Sequence, residues 1–148
     1  MEAPPRAFLE SSALSAGVFS EEGGGRMVLR LGEAGAVRLL VSPQVLAQVE
    51  GAIRLKAPNV LTLLALLLDR SDLEVVPKPA KERVDACHSL VGHPADAAVL
   101  AAAWEAYADF LITLDQKHFL QNKAVRRGVP FVVGTPGEFL AWLKLRWG

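Results

Sequence analysis

Residues 109–114 read DFLITL, and Asp115 follows them. This run is almost entirely apolar and contains aromatic and β-branched side chains, a pattern typical of a strand that helices cover on both faces. Residues 131–133 (FVV) have the same character, and further strand patterns occupy residues 6–10, 37–41 and 73–76. Segments with helical periodicity separate these strands. The alternation predicts an α/β fold with a central, mainly parallel sheet.

Three predicted helices have clear start signals, each of which includes a proline. Residues 42–43 (SP) and 135–136 (TP) combine a hydroxyl N-cap with proline at the first helical position, and Glu138 completes a capping box in the second case. Pro94 opens a helix that runs to about residue 107. Two further helices are predicted at residues 58–70 and 79–91.

Length and composition fit one domain. The 148 residues are 51% hydrophobic and 22% charged, which excludes a disordered chain and favours a single globular domain over residues 1–148. Residues 21–25 (EEGGG) are the one stretch expected to be flexible, and they are too few to divide domains. Cys87 is the only cysteine, so an internal disulfide and a zinc site of several thiolates are excluded.

The chain shows no sign of a membrane segment. Its longest apolar run, at residues 60–68, is far shorter than the roughly 20 residues that span a bilayer. The amino terminus lacks the basic segment, apolar run and small-residue cleavage site of a signal peptide. We therefore expect a cytoplasmic protein without a membrane span.

A neutral net charge hides an asymmetry along the chain. Residues 1–115 have a formal charge of −5, and residues 116–148 have a formal charge of +5. If the basic side chains near the end share a face, they favour a polyanion; if they are spread out, they form an ordinary solvated surface. The candidates for nucleic-acid contact are Lys117, His118, Lys123, Arg126 and Arg127.

Four carboxylates occupy positions where apolar residues would be expected. Glu10 ends the first predicted strand and Asp115 follows the fourth, so both reach the carboxyl edge of the sheet. Glu50 borders the buried stripe of the helix after the second strand, and Asp96 lies in the first turn of a later helix, on its inward face. Taken singly, each could be an ordinary strand-end, turn-capping or helix-end acid. Together they would repel one another unless a divalent cation bound them, and oxygen ligands with few histidines favour Mg²⁺ or Mn²⁺.

With these residues the chain resembles the PIN-domain family, a nuclease family that includes the toxin ribonucleases of bacterial toxin–antitoxin pairs. Residues 8–14 (FLESSAL) are similar to the family's first strand and apolar helix, and residues 39–43 (LLVSP) with Glu50 are similar to its second strand and helix start. The remaining matches, in the family's order, are residues 96–103 (DAAVLAAA), 110–115 (FLITLD), 118–120 (HFL) and 135–139 (TPGEF). The resemblance covers nearly the whole chain and implies a three-layer α/β/α fold.

The resemblance also implies an activity, a cofactor and partners. It implies a Mg²⁺- or Mn²⁺-dependent ribonuclease in which Glu10 and Asp96 bind the metal directly, while Glu50 and Asp115 bind it directly or through water. Two hydroxyl side chains, Ser12 and Thr113, would orient these carboxylates. RNA as the substrate, an antitoxin protein as a partner and a homodimer follow from the same resemblance.

The chain departs from the family pattern at Glu10, where aspartate is usual. The extra methylene displaces the carboxylate by about a bond length, in a class of site that tolerates displacements of only about 0.5 Å. This departure favours an alternative hypothesis, a PIN fold that has lost catalysis and binds RNA or a protein partner. A third hypothesis, an unrelated α/β domain for a small ligand, predicts that no divalent cation binds.

Overall fold

The structure is a computed structural model that describes residues 3–148 and contains a five-stranded sheet. The strands are β1 (Arg6–Leu9), β2 (Arg38–Val41), β3 (Glu74–Val75), β4 (Phe110–Ile112) and β5 (Val132–Gly134). The helices are α1 (Ser11–Phe19), α2 (Gly24–Glu33), α3 (Pro43–Lys56), α4 (Leu61–Arg70), α5 (Lys81–His88), α6 (Pro94–Glu105), α7 (Lys123–Gly128) and α8 (Pro136–Trp147). Helices flank the sheet on both faces, so the predicted three-layer α/β/α fold is confirmed.

The order of the strands creates a switch point in the middle of the sheet. The order is β3-β2-β1-β4-β5, and every pairing is parallel. From β1 the chain moves outward through β2 to β3, and it then returns to place β4 and β5 on the other side. The direction therefore reverses between β1 and β4. Open α/β sheets bind ligands outside the carboxyl ends of their strands at such a point.

The strand residues other than Arg6, Arg38 and Glu74 are apolar because helices pack on both faces of the sheet. Phe8, Leu39 and Leu111 have no exposed surface, and burying each such side chain contributes about 1.5–3 kcal/mol. Phe110 meets Phe139 edge-on with ring centroids 5.0 Å apart, which fastens α8 to β4. The predicted strands are therefore all present, although each is shorter by one or more residues at its ends or shifted by one.

The predicted helix starts are confirmed at their caps. The Ser42 side chain accepts a hydrogen bond from the Val45 N–H, and Thr135 forms the complete capping box with Glu138. The helix predicted at residues 58–70 is divided into a short 3-10 turn and α4, and the one predicted at residues 79–91 shortens to α5. Among residues 3–148, the longest helix has 14 residues, and none combines the length and apolar character needed to cross a membrane.

The expectation of a flexible stretch at residues 21–25 is wrong for Gly24 and Gly25. Gly24 and Gly25 form the first turn of α2, and Gly25 is buried against α1. A Cβ on Gly25 would lie 2.8 Å from the Gly17 nitrogen and 3.0 Å from its Cα, so two glycines allow the helix backbones to touch. The glycines are needed for this close approach and not for mobility.

Candidate active site

Three acidic side chains meet above the carboxyl ends of β1 and β4. Glu10 follows β1 directly, Asp115 follows β4 after two residues, and Asp96 lies in the first turn of α6. The negative charges of Glu10 and Asp115 both act on Asp96. The structure therefore brings these three predicted residues together at the switch point of the sheet; they are called the acidic cluster below.

Glu10 is buried although it carries a carboxylate, with only 7% of its surface exposed. Ser11 Oγ donates a hydrogen bond to Glu10 Oε2 at 2.7 Å, and Thr113 Oγ1 donates to Glu10 Oε1 at 2.7 Å. Ser12 Oγ donates to the same Oε1 atom. Because a carboxylate oxygen offers two lone pairs, Oε1 is fully used by these two donors. Three hydroxyls thus offset the cost of burying this charge.

Ser12 and Thr113 also hold the chain that leads to Asp115. The Leu114 N–H donates to Ser12 Oγ at 2.9 Å, and the Asp115 N–H donates to Thr113 Oγ1 at 3.0 Å. Each hydroxyl therefore donates to Glu10 and accepts from the backbone after β4. The two residues couple the position of the Glu10 carboxylate to that of Asp115.

Asp115 is paired with a histidine one turn later. It caps the five-residue turn Gln116–Leu120 by accepting the His118 N–H at 3.0 Å, and His118 Nδ1 lies 2.9 Å from Asp115 Oδ2. An ionised carboxylate only accepts, so this contact places the proton on Nδ1. Burial by itself raises the pKa of Asp115, but the hydrogen bonds and charge of His118 outweigh burial and lower the pKa overall.

Asp96 is the carboxylate of the cluster that accepts the fewest hydrogen bonds from the protein. Its side chain is 19% exposed, and its nearest basic atoms are His118 Nδ1 at 3.8 Å and His93 Nδ1 at 4.0 Å from Oδ2. Burial raises its pKa; the two histidines oppose this effect, and the charges of Asp115 and Glu10 add to it. The net result is a raised pKa, the mark of a carboxylate held close to others away from water.

Glu50 is not brought to the acidic cluster. Its side chain is 53% exposed and accepts a hydrogen bond from Arg54 at 2.6 Å, one turn later on α3. Glu50 and Arg54 line a recess between α3 and α4 with Leu61, Leu64, Ala65 and Leu68. The neighbouring positions Val49 and Ile53 fill the buried stripe. Glu50 therefore lies beyond the border of that stripe, on the solvent side.

The sequence pattern did not single out three residues that the structure places at the site. Ser11 contributes a hydroxyl to Glu10, and His93 lies beside Asp96. Gln44 of α3 donates through Nε2 to the Ala95 carbonyl at 3.0 Å, which fastens the first turn of α6. His93 could have been found from its spacing, because it stands three residues before Asp96 at the start of a helix.

The residues predicted to contact nucleic acid extend from the acidic cluster to α7. Lys117 and His118 lie in the turn that Asp115 caps, and Lys123, Arg126 and Arg127 lie on α7. The four lysines and arginines are exposed, whereas His118 is half-buried against the aspartates. This part of the predicted basic surface therefore begins where the acidic cluster ends.

Comparison with known proteins agrees with this geometry. A family model for the PIN domain matches residues 6–117, which include all of β1 through β4 and the acidic cluster. The chain belongs to the PIN-domain family. A search of curated proteins found no significant match.

Two solved structures have the same fold as this PIN domain. One is VapBC2 from Rickettsia felis bound to a DNA fragment from its promoter, with a TM-score of 0.65 and 16% sequence identity over 86% of this chain and 96% of that chain. The other is PAE2754 from Pyrobaculum aerophilum, with a TM-score of 0.62 and 14% identity over 95% of this chain and 96% of that chain. At such low identity these neighbours establish the fold alone.

The donors in the acidic cluster of this PIN domain fit a hard divalent cation by their chemistry. Carboxylate and hydroxyl oxygens are the ligands that Mg²⁺ and Mn²⁺ prefer. Within residues 3–148, however, no three side chains of His, Cys, Asp or Glu are arranged closely enough to enclose an ion. At Glu10, one carboxylate oxygen, Oε1, is already occupied by the hydroxyls of Ser12 and Thr113. Asp96, Asp115 and the Oε2 atom of Glu10 retain lone pairs that an ion could use.

Proposed function

We propose that this PIN domain is a Mg²⁺- or Mn²⁺-dependent ribonuclease. The observation that supports the proposal is the convergence of Glu10, Asp96 and Asp115 at the switch point of a parallel sheet. Burial and the neighbouring acidic side chains raise the pKa of Asp96. Carboxylates held together in this way are costly unless a cation neutralises them. Phosphodiester cleavage assisted by a bound cation is the chemistry that such a cluster serves.

The side chains of the cluster have separable roles in this proposal. Asp96 and Asp115 would hold the cation, which when bound activates water and stabilises charge on the scissile phosphate. His118 holds Asp115 ionised, since its hydrogen bonds lower the pKa of that carboxyl against the effect of burial. Thr113 and Ser12 fix Glu10, and the exposed cations at Lys117 and on α7 would bind the RNA backbone.

We further propose an antitoxin protein and a second copy of the chain as partners, and the cytoplasm as the place where the protein acts. The VapBC2 neighbour, a two-protein assembly on promoter DNA, supports the first partner by likeness of fold. The recess between α3 and α4, together with the exposed side chains of Leu55 and Leu66 on the same two helices, supports a protein contact. Light scattering measures the mass of the purified chain and so tests for a dimer. The same measurement after adding the product of a neighbouring small gene tests for an antitoxin complex.

Calorimetric titration with Mn²⁺ tests the metal site. We expect saturable binding by the native protein, binding at least about tenfold weaker in Asp96→Asn, and unchanged binding in Glu50→Gln. Glu50 is a matched control because it is acidic and lies on the surface of the same domain, paired with Arg54. Absence of binding at millimolar Mn²⁺, or equal binding by Asp96→Asn, contradicts the proposal.

Cleavage of a mixed pool of short RNAs tests the activity. We expect products that require Mg²⁺ or Mn²⁺ and that disappear in Asp96→Asn, with Glu50→Gln as active as the native protein. Cleavage that survives addition of a chelator, or that is equal in Asp96→Asn, would refute a metal-dependent mechanism at this cluster.

A second candidate function is a PIN domain without catalysis that binds RNA or a protein. The observation in its favour is that Glu10 is already bound by three hydroxyls. The variant Glu10→Asp separates the two functions. A site adapted to glutamate loses Mn²⁺ affinity in the variant, whereas a degenerate site gains it because the shorter side chain no longer reaches all three hydroxyls.

A further inference from the structure

An apolar cavity lies beside the acidic cluster. Its volume is about 310 Å³, at the small end of the range of ligand sites. Pro43, Pro79, Val84 and Ala98 form its apolar walls, drawn from the start of α3, the segment after β3, α5 and α6. Ser42, Gln44 and Lys78 supply its polar groups, and none of its lining residues is acidic. We call it the side cavity.

The side cavity opens at the same edge of the sheet as the acidic cluster. Its lining residues follow β2 and β3, whereas Glu10 and Asp115 follow β1 and β4. Since the order is β3-β2-β1-β4 and strands lie about 4.8 Å apart, the two centres are separated by about two strand spacings, or roughly 10 Å. Helix α6 borders both, with Asp96 in the cluster and Ala98 in the cavity wall.

Gln44 connects the two places and retains hydrogen-bonding capacity. Its Nε2 donates to the carbonyl of Ala95, the residue before Asp96, at 3.0 Å. A primary amide has two N–H donors and a carbonyl acceptor, so one donor and the acceptor are left for a ligand. Lys78 is exposed at the rim and makes no ion pair or hydrogen bond with residues 3–148. It is placed to meet an anionic group at the mouth.

These features fit a nucleobase better than a phosphate or a peptide acid. A base is flat, neutral and apolar on its faces, and it presents donors and acceptors at its edge. An unstacked base is held between apolar side chains and read by amide groups in proteins that act on nucleic acids. The amide of Gln44 suits the edge, and Lys78 suits the phosphate attached to the same nucleoside.

We propose that the side cavity receives one unstacked base of a single-stranded RNA whose backbone crosses the acidic cluster. This inference rests on the proposed ribonuclease function and names its substrate class. A paired base cannot enter, so the substrate is an unpaired segment. Gln44 is the residue that distinguishes one base from another, because its amide lines the cavity with a donor and an acceptor left over, whereas the Ser42 hydroxyl already caps α3.

Free nucleoside monophosphates test the cavity without any need for cleavage. The Val84 and Ala98 methyl signals are followed by NMR in the presence of a chelator while AMP, GMP, CMP or UMP is added. We expect saturable shifts with at least one nucleotide at millimolar concentration. Val84→Phe, which fills the cavity, should weaken that binding about tenfold or more, judged by the Ala98 methyl. Ala86→Phe, on an exposed position of the same helix, should leave it unchanged.

The identity of the occupant is tested with a second pair of measurements. Gln44→Ala should reduce the preference for the favoured nucleotide about fivefold, the loss of one hydrogen bond, while the binding of phenol, an apolar probe, stays the same. If Val84→Phe does not fold, Ala98→Leu fills the cavity from the opposite wall. The inference is overturned if no nucleotide shifts either methyl, or if phenol binds and all four nucleotides do not.

These results separate the inference from the function on which it rests. Nucleotide binding without metal-dependent cleavage would refute the ribonuclease and leave the cavity as a base site of the second candidate, a PIN domain that binds RNA without cleaving it. Metal-dependent cleavage with no base preference beside the cut, and no nucleotide at Val84, would refute the inference and leave the ribonuclease intact. Cleavage with a base preference that Gln44→Ala removes supports both.

Discussion

Replacing Thr113 by valine tests how firmly the protein holds the buried carboxylate of Glu10. Thr113 has no exposed surface, and its hydroxyl donates to Glu10 Oε1 at 2.7 Å and accepts the Asp115 N–H at 3.0 Å. Valine keeps the shape and loses both hydrogen bonds. The bond to the carboxylate is worth about 1.5–3 kcal/mol and the neutral one about 1 kcal/mol. The methyl group that valine adds stabilises the folded state by about 0.8 kcal/mol, because it is buried.

We therefore expect Thr113→Val to lower the free energy of unfolding by about 2–3 kcal/mol. Ser11 and Ser12 still donate to Glu10 in this variant, so the carboxylate is not left without partners and the loss stays below that of an unpaired buried charge. Urea denaturation at neutral pH with a chelator, followed by circular dichroism, measures the change.

Two variants complete this experiment. Thr113→Ser keeps the hydroxyl and should lose only about 1 kcal/mol, the cost of a missing methyl group. Thr62→Val makes the same chemical change on the exposed side of α4 and should stay within about 0.5 kcal/mol of the native protein. The reasoning is refuted if Thr113→Val lowers the free energy of unfolding by less than about 1 kcal/mol, or if Thr113→Ser lowers it equally, since the hydroxyl would then not stabilise the protein.

Two further predictions concern packing and charge. Gly25→Ala places a Cβ 2.8 Å from the backbone nitrogen of Gly17 and should destabilise the protein by about 1–3 kcal/mol, whereas Gly51→Ala, which meets open space within α3, should stabilise it by up to about 1 kcal/mol. Equal effects in urea denaturation would contradict the close contact of α1 and α2. Asp96→Asn should raise the stability at neutral pH in a chelator, because burial raises the pKa of Asp96 in the folded state and the charged form is penalised there. At low pH the Asp96 carboxyl is protonated in both the folded and the unfolded native protein. The stability advantage of Asp96→Asn should therefore disappear as the pH falls from the raised pKa of the folded state to below the pKa of the unfolded state. A lower stability of Asp96→Asn than of the native protein at neutral pH would contradict this prediction.

The strands and the helix caps could be predicted because their signals are local. Residues 109–114 could be recognised as a strand because an apolar run of this kind is stable only between helices, and Thr135 with Glu138 forms its capping box from neighbours three residues apart. Asp96 was correctly expected on the inward face of its helix, since the buried Val99 and Leu100 lie one turn further along.

Glu50 and the EEGGG stretch show where local signals fail. Glu50 adjoins the buried residue Val49, and each step along a helix turns a side chain by about 100°, so a residue beside the stripe can face either way. The partner that decides its position, Arg54, stands four residues later and favours the solvent side. The glycines of residues 21–25 resemble a linker in isolation, and only the tertiary approach of α1 explains them.

The hydrogen bond between Glu10 and Thr113 joins residues 103 positions apart in the chain. A nascent chain on the ribosome therefore exposes Glu10 long before it has the partner strand that completes the cluster. Until β4 has emerged and paired with β1, Glu10 has only the hydroxyls of Ser11 and Ser12, and Asp115 does not yet exist. Parallel pairing over such a distance is slow to form. Any activity of the acidic cluster can thus begin only after most of the protein has been synthesised, so a prematurely terminated product that ends before β4 is inert.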